Sequence, residues 1–180
     1  MIGGSKVTAD DTLTVATWNT EWRERNSRDG NLICDRLKGT APEIICLTEA
    51  HIGLLDDWAG FIAEGGIDWG GPTHGTRRKV LLWSRNPWIA LDTVGAPDLP
   101  PGRFVKGVTE TALGSLTVVG IVIPYHMSNV RAGRRDRKMW DDHGQYLKAL
   151  HGIIRALPPS SIAGRFQSAY PKRMGAAAIP

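Results

Sequence analysis

The chain has 180 residues, which is room for one domain and too little for two of ordinary size. Apolar residues make up 42% and charged residues 22%, a balance that favours a packed core and argues against disorder. A formal charge of +4 suits a phosphate-bearing partner without requiring one, because solubility explains a small excess of lysine and arginine equally well.

Residues 1–11, with Gly3, Gly4 and Ser5, read as a flexible leader. They lack the apolar stretch of a signal peptide, and no run approaches a membrane span, so a cytoplasmic address is expected. Residues 12–18 alternate and are β-branched, predicting a strand that ends at Asn19. Residues 30–38 predict a short helix with Leu32, Ile33 and Leu37 on one side, stopped by Gly39. Pro42 introduces Glu43-Ile44-Ile45-Cys46-Leu47, a continuous apolar run that fits a strand covered on both faces. Cys34 and Cys46 each sit inside such an apolar pattern. Two cysteines exclude a disulfide framework, so they read as buried free thiols.

Residues 54–63 predict a second helix, closed by Gly65-Gly66. Strands are expected over 79–83 and 88–94, then a proline-rich loop over 95–102. Two neighbouring strands, 104–111 and 116–123, join at Gly114-Ser115. A helix over 140–157 shows Trp140, His143, Leu147, Leu150, Ile154 and Leu157 at the spacing of a buried face, and Pro158-Pro159 ends it. Seven tryptophans, each with an indole N–H to satisfy, point to a cleft or polar seam. Strands alternate with helices and no repeat is found, so the class is α/β or α+β.

Chemistry is expected where strands end. Asn19 closes the first strand and Glu49 follows the second buried one. A carboxylate there suits a hard cation such as Mg²⁺, and an amide beside it orients the carboxylate or donates to a phosphate oxygen. Singly, each has a plain alternative: asparagine closes turns, and a glutamate leaving a strand meets solvent.

The ordered motifs change that balance. The run Leu13-Thr14-Val15-Ala16-Thr17-Trp18-Asn19-Thr20-Glu21-Trp22 resembles the opening strand of the endonuclease/exonuclease/phosphatase superfamily. Pro42-Glu43-Ile44-Ile45-Cys46-Leu47-Thr48-Glu49 resembles its second signature, and the runs over 79–85 and 116–124 resemble its next strands. The resemblance covers residues 13–164. It implies a β-sandwich flanked by helices and metal-dependent hydrolysis of a phosphoester, nucleic acid being one such substrate. It also implies Mg²⁺ or Mn²⁺ at Glu49, with Asn19 as the active-site asparagine. Tyr125 and His126 fall where family members place phosphate-contacting groups, although a surface turn explains the pair as well. His143, on the apolar side of its helix, reads as a core histidine, and His51 and His74 carry no pattern.

Arg131, Arg134, Arg135, Arg137 and Lys138 form a basic patch. Either it contacts a nucleic-acid or polyphosphate backbone, or it is a solvated loop partly neutralised by Asp136, Asp141 and Asp142. The alternative to an enzyme is therefore a non-catalytic nucleic-acid-binding fragment using that patch. Neither an obligate protein partner nor an oligomeric state is evident.

The family pattern breaks after Ser161-Ile162-Ala163-Gly164. Where the family continues Asp-x-Asn, this sequence has Arg165-Phe166-Gln167, and a late Asp-His pair is not reached before Pro180. The domain is thus expected to span residues 12–164 with its second half incomplete, residues 165–180 being a non-native or disordered tail. The opening strand then lacks a neighbour, and catalysis is expected to be weak or nil. One extra nucleotide accounts for the break: codons for residues 165–172 exist that, read one base later, give Asp-Phe-Asn-Gln-Arg-Ile-Pro. Sequencing the gene around the Gly164 codon tests this. The shifted frame should carry that heptapeptide and, downstream, an Asp-His pair; a frame without them rules the shift out.

Overall fold

The computed structural model describes residues 12–67, 74–126, 128 and 138–167, with side chains as far as Ile162. Strands β1 (Val15–Asn19), β2 (Ile44–His51), β3 (Phe61–Glu64) and β4 (Arg77–Ser84) form one sheet in the order β1-β2-β4-β3. Strands β5 (Trp88–Asp92), β6 (Phe104–Thr111), β7 (Gly114–Ile123) and β8 (Ser161–Gln167) form a second sheet in that order. Helices α1 (Arg28–Gly39) and α2 (Asp141–Arg155) each link a parallel strand pair, β1 to β2 and β7 to β8. The four-layer α/β sandwich agrees with the class read from sequence.

Alternation along the strands builds the layers. On β2 and β4, Ile44, Cys46, Val80 and Leu82 face the second sheet and meet Val105, Leu116, Val118 and Val122. Their neighbours Ile45, Leu47, Leu81 and Trp83 face the other way, onto Ile33, Cys34 and Leu37 of α1. On the far side, Phe104, Val119, Ile121 and Ile123 carry Tyr146 and Leu150 of α2. This explains the unbroken apolar run of β2, which has hydrophobic cover on both faces. Both cysteines are buried free thiols, and burial pushes Cys46 up to about 12.

Local chemistry sets the helix starts. The Ser27 hydroxyl accepts from the Gly30 N–H at 3.0 Å, capping α1. Asp29 in its first turn and Arg36 and Lys38 in its last complement the helix dipole.

Three expectations are corrected. Residues 54–63 do not form a helix: a 3-10 turn over Ile52–Leu55 buries Leu54 and Leu55, and the chain then enters β3. Gly60 permits this, since a Cβ there would stand 2.5 Å from the Trp83 indole, and β3 gains a full antiparallel pairing with β4. The hairpin turn is Ala112-Leu113, two residues earlier than expected, because Thr111 pairs with Gly114 across a two-residue loop. Finally, α2 is rotated: Asp142, Tyr146 and Leu150 are buried with Ile153 and Leu157 against them, whereas Trp140, Leu147 and Ile154 are exposed. The Tyr146 ring enters the core, and its hydroxyl donates to the Arg103 carbonyl at 2.9 Å, which fixes the helix rotation.

The leader, residues 1–11, and the tail beyond residue 167 lie outside the described residues. The β7–β8 pairing continues past Gly164 to Gln167. Strand β1 pairs only with β2 among the described residues.

The second sheet packs against β4 at Gly120, where a Cβ would lie 2.8 Å from Val80 Cγ2 and 3.0 Å from Leu82 Cδ2. Gly120→Ala should cost about 1–3 kcal/mol of stability through overpacking, seen as a lower urea midpoint with an unchanged denaturant slope.

Candidate active site

The site grows from the join between β1 and β2. Their parallel register sets Asn19 beside Thr48, the residue before Glu49. The loop after Asn19 is then tied to β2: the Thr20 N–H donates to the Thr48 carbonyl at 2.9 Å, and the Thr20 hydroxyl donates to the Glu49 carbonyl at 2.8 Å. The Trp22 N–H donates to that same Glu49 carbonyl at 2.6 Å. Asn19 Oδ1 accepts the Glu21 N–H at 3.0 Å, so the side chain is fixed at the strand end. Asn19 and Glu49 share one end of the sheet.

Glu49 does not continue the pleat. Its φ is +50°, and the side-to-side alternation slips there: Leu47 and Ala50, three residues apart, both pack on the α1 side. A non-glycine residue in this conformation stores of order 1–3 kcal/mol. Of the five non-glycine residues with positive φ among the described residues, Glu21, Trp22 and Glu49 belong to this corner, and Trp140 stands at the start of α2. Such strain gathers at functional sites, where surrounding structure over-determines it.

Opposite Glu49 stands Lys79. In the β2–β4 register Thr48 faces Val80 and Ala50 faces Arg78, which sets Lys79 against Glu49. Lys79 Nζ lies 2.9 Å from Glu49 Oε1, and the side chains are 13% and 12% exposed. Burial lowers the ammonium from its ordinary value, Glu49 opposes that shift, and Arg103 adds to it. The Trp22 ring lies over both neighbouring cations, with its centroid 4.8 Å from Lys79 Nζ and 5.4 Å from the Arg77 guanidinium carbon.

Arg103 enters from the second sheet, just before β6, and is buried. Burial lowers its guanidinium, while the fields of Tyr146, Asp142, Glu49 and Tyr125 pull it back up. Because a guanidinium stays charged in proteins, its burial creates a strong demand for an anion. Arg103 therefore connects the corner holding Glu49 to Tyr125 and Asp142 beyond β7.

Tyr125 and His126 follow β7, in edge contact at 5.9 Å. His126 lies 5.2 Å from the Trp140 ring, and its carbonyl accepts the Trp140 N–H at 2.9 Å. His143 Nδ1 lies 2.7 Å from the Pro124 carbonyl, a structural role in keeping with its reading as a packed histidine. Of the basic patch, Arg131, Arg134, Arg135 and Arg137 lie outside the described residues. Lys138 is exposed, and its N–H donates to Asp141 Oδ2 at 2.8 Å.

Beyond Glu49 the strand runs into an open cleft of about 770 Å³, lined by Glu24, Arg25, Asn31, His51, Asp56 and Asp57. Arg25 grips Asp57 through two bonds of 3.0 and 2.8 Å, and this holds the Asp57 carboxyl below its usual range. His51, which showed no pattern in sequence, lies 3.9 Å from Glu24 in this wall. The sequence also missed Lys79 and Arg103. An apolar-strand lysine facing a glutamate needs the register to be seen, and Arg103 carries no local motif.

In kind, a carboxylate and an amide oxygen suit a hard divalent ion that keeps several waters. Among the described residues no group of three or more His, Cys, Asp or Glu side chains is gathered as a metal site. The Glu49 carboxylate is meanwhile occupied by Lys79.

Two mixed sheets packed face to face between helices, with polar groups converging at one shared edge, define the class as an endonuclease/exonuclease/phosphatase-type sandwich. The sequence matches the model of the Endonuclease/Exonuclease/phosphatase family over residues 16–164, and the chain belongs to that family. No curated protein matches it. Among solved structures, an AP endonuclease from Archaeoglobus fulgidus superposes with a TM-score of 0.59 at 16% identity, covering 87% of this chain and 56% of that one. Humanized D. rerio TDP2 gives 0.56 at 12%, covering 84% and 59%. Sphingomyelinase C from Streptomyces griseocarneus gives 0.54 at 16%, covering 86% and 63%. The likeness is one of fold, and this chain spans about three fifths of each.

Tyr146→Phe removes one of two donors to the Arg103 carbonyl, the other being the Val122 N–H at 2.9 Å. Since the carbonyl keeps a partner, the loss should be modest, about 0.5–1.5 kcal/mol in urea unfolding.

Proposed function

We propose that this edge is a phosphoester site and that the reaction class is divalent-metal-dependent hydrolysis. The observation that carries the reading is the nearly buried Glu49–Lys79 pair, next to Asn19 and on a strained backbone, with the field of the buried Arg103 reaching it. Lys79 and the buried Arg103 offer a phosphate two cations, Arg103 as the planar, always-charged donor, with the Glu49 and Asp142 carboxylates holding them in place of it until it binds. In this reading Glu49 holds Mg²⁺ or Mn²⁺, and Asn19 orients it through its amide. When bound, such an ion supplies Lewis acidity toward the phosphoryl oxygens. Tyr125, and His126 beside it, face the substrate from the second sheet. Arg103 and Lys79 bind the phosphate and stabilise the charge that grows on it.

The substrate class follows the family's breadth. The matched structures include enzymes on DNA and a sphingomyelinase, and fold does not choose between them. The mildly basic charge and the patch from Arg131 to Lys138 favour nucleic acid. The same patch supports the second reading, a non-catalytic nucleic-acid-binding fragment. Among the described residues no helix is long and apolar enough to cross a membrane. A low rate is proposed for the 180-residue chain, because Arg165-Phe166-Gln167 stands where the family's Asp-x-Asn would fall.

With bis(p-nitrophenyl) phosphate and a short DNA duplex, hydrolysis should require Mg²⁺ or Mn²⁺, and Glu49→Gln should lower kcat/KM by about 10²–10³-fold. Salt-sensitive DNA binding that persists with EDTA and with Glu49→Gln, without any hydrolysis, would favour the binding fragment instead.

A further inference from the structure

Glu49 does not stand open to a metal ion. Its Oε1 is 2.9 Å from Lys79 Nζ, and both side chains are nearly buried, so the lysine neutralises a carboxylate that water reaches poorly. Arg103 adds a second buried cation whose field reaches Glu49. A divalent ion entering here meets like charge at close range in a poorly screened setting.

We infer that Lys79 is a built-in competitor for the metal position: the ammonium and a divalent ion hold the Glu49 carboxylate in turn and not together. The geometry gives the lysine somewhere to go. Its long stem is flexible, unlike the planar fork of an arginine. The Trp22 ring, set by its own left-handed backbone, already meets Nζ at 4.8 Å, a contact the ammonium can keep after it leaves the carboxylate. With no ion present, Lys79 keeps the buried carboxylate paired, avoiding the cost of an uncompensated charge. The inference rests on the reading of Glu49 as the metal-holding residue and adds a determinant that weakens the site.

Free Mn²⁺ measured by electron paramagnetic resonance during titration of the full chain tests it. Neighbouring charges shift ionic equilibria by about ten- to a thousandfold, so Lys79→Met should bind Mn²⁺ at least about tenfold more tightly than wild type. Lys79→Arg, which keeps the charge, should stay close to wild type, and Glu49→Gln placed on Lys79→Met should abolish the gain. Amine labelling of the wild-type chain, read by peptide mass spectrometry, gives a second measurement that needs no variant. Mn²⁺ should raise the labelling of Lys79 by freeing it from Glu49. Equal Mn²⁺ affinities of wild type and a folded Lys79→Met, or Lys79 labelling indifferent to Mn²⁺, overturn the inference. If affinities are equal yet Glu49→Gln removes binding, the metal reading of Glu49 stands alone. If Glu49→Gln changes nothing in either background, or neither protein binds Mn²⁺, both readings fall.

Discussion

A glutamate and a lysine facing each other across two buried strands set the terms for everything around them. Neither side chain tolerates this depth alone, because a solitary charge away from water costs several kcal/mol. Paired, they hold β2 and β4 together at the end where the sheet opens toward the cleft. The kink at Glu49 lets the carboxylate leave the strand's regular pleat, and the hydrogen bonds from Thr20 and Trp22 to its carbonyl hold that kink in place. The polar corner is thus supported by backbone bonds on one side and by the apolar layers on the other.

The second sheet contributes by the same logic in reverse. Arg103 is carried into the interior by a loop, where the fields of Tyr146, Asp142, Glu49 and Tyr125 oppose the cost of burying its charge. The Tyr146 hydroxyl secures the backbone beneath it from α2, so helix packing and site geometry are linked through one carbonyl. This is how a layered fold positions polar groups: the layers supply rigidity, and the strand ends supply chemistry.

Much of this was legible in the sequence. The apolar run Ile44 to Leu47 announced a strand covered on both faces, the β-branched opening run announced β1, and the order of motifs announced the family. What escaped notice depended on partners distant in the chain. The helix expected over 54–63 failed because β3 draws its stability from pairing with β4, which periodicity cannot register. The apolar stripe read for α2 included Leu147 and Ile154, both exposed, because a helix carrying apolar residues at several spacings fits more than one rotation. Tyr146 decides among them through a bond to a residue 43 positions away. Lys79 was hidden for the same reason: inside Lys79-Val80-Leu81-Leu82-Trp83 it looked like the lip of a strand, and only the register set it against Glu49.

Strand β1 ends in Asn19 and rests, among the described residues, on a single neighbour, and Val15 and Thr17 on it are exposed to solvent. An edge of this kind breathes more readily than the centre of its sheet. Asn19 therefore rides on a stretch of backbone that comes loose at less expense than β2 beneath Glu49. What keeps Asn19 beside the Glu49 strand is then the β1–β2 ladder and the Thr20 and Trp22 bonds just past it.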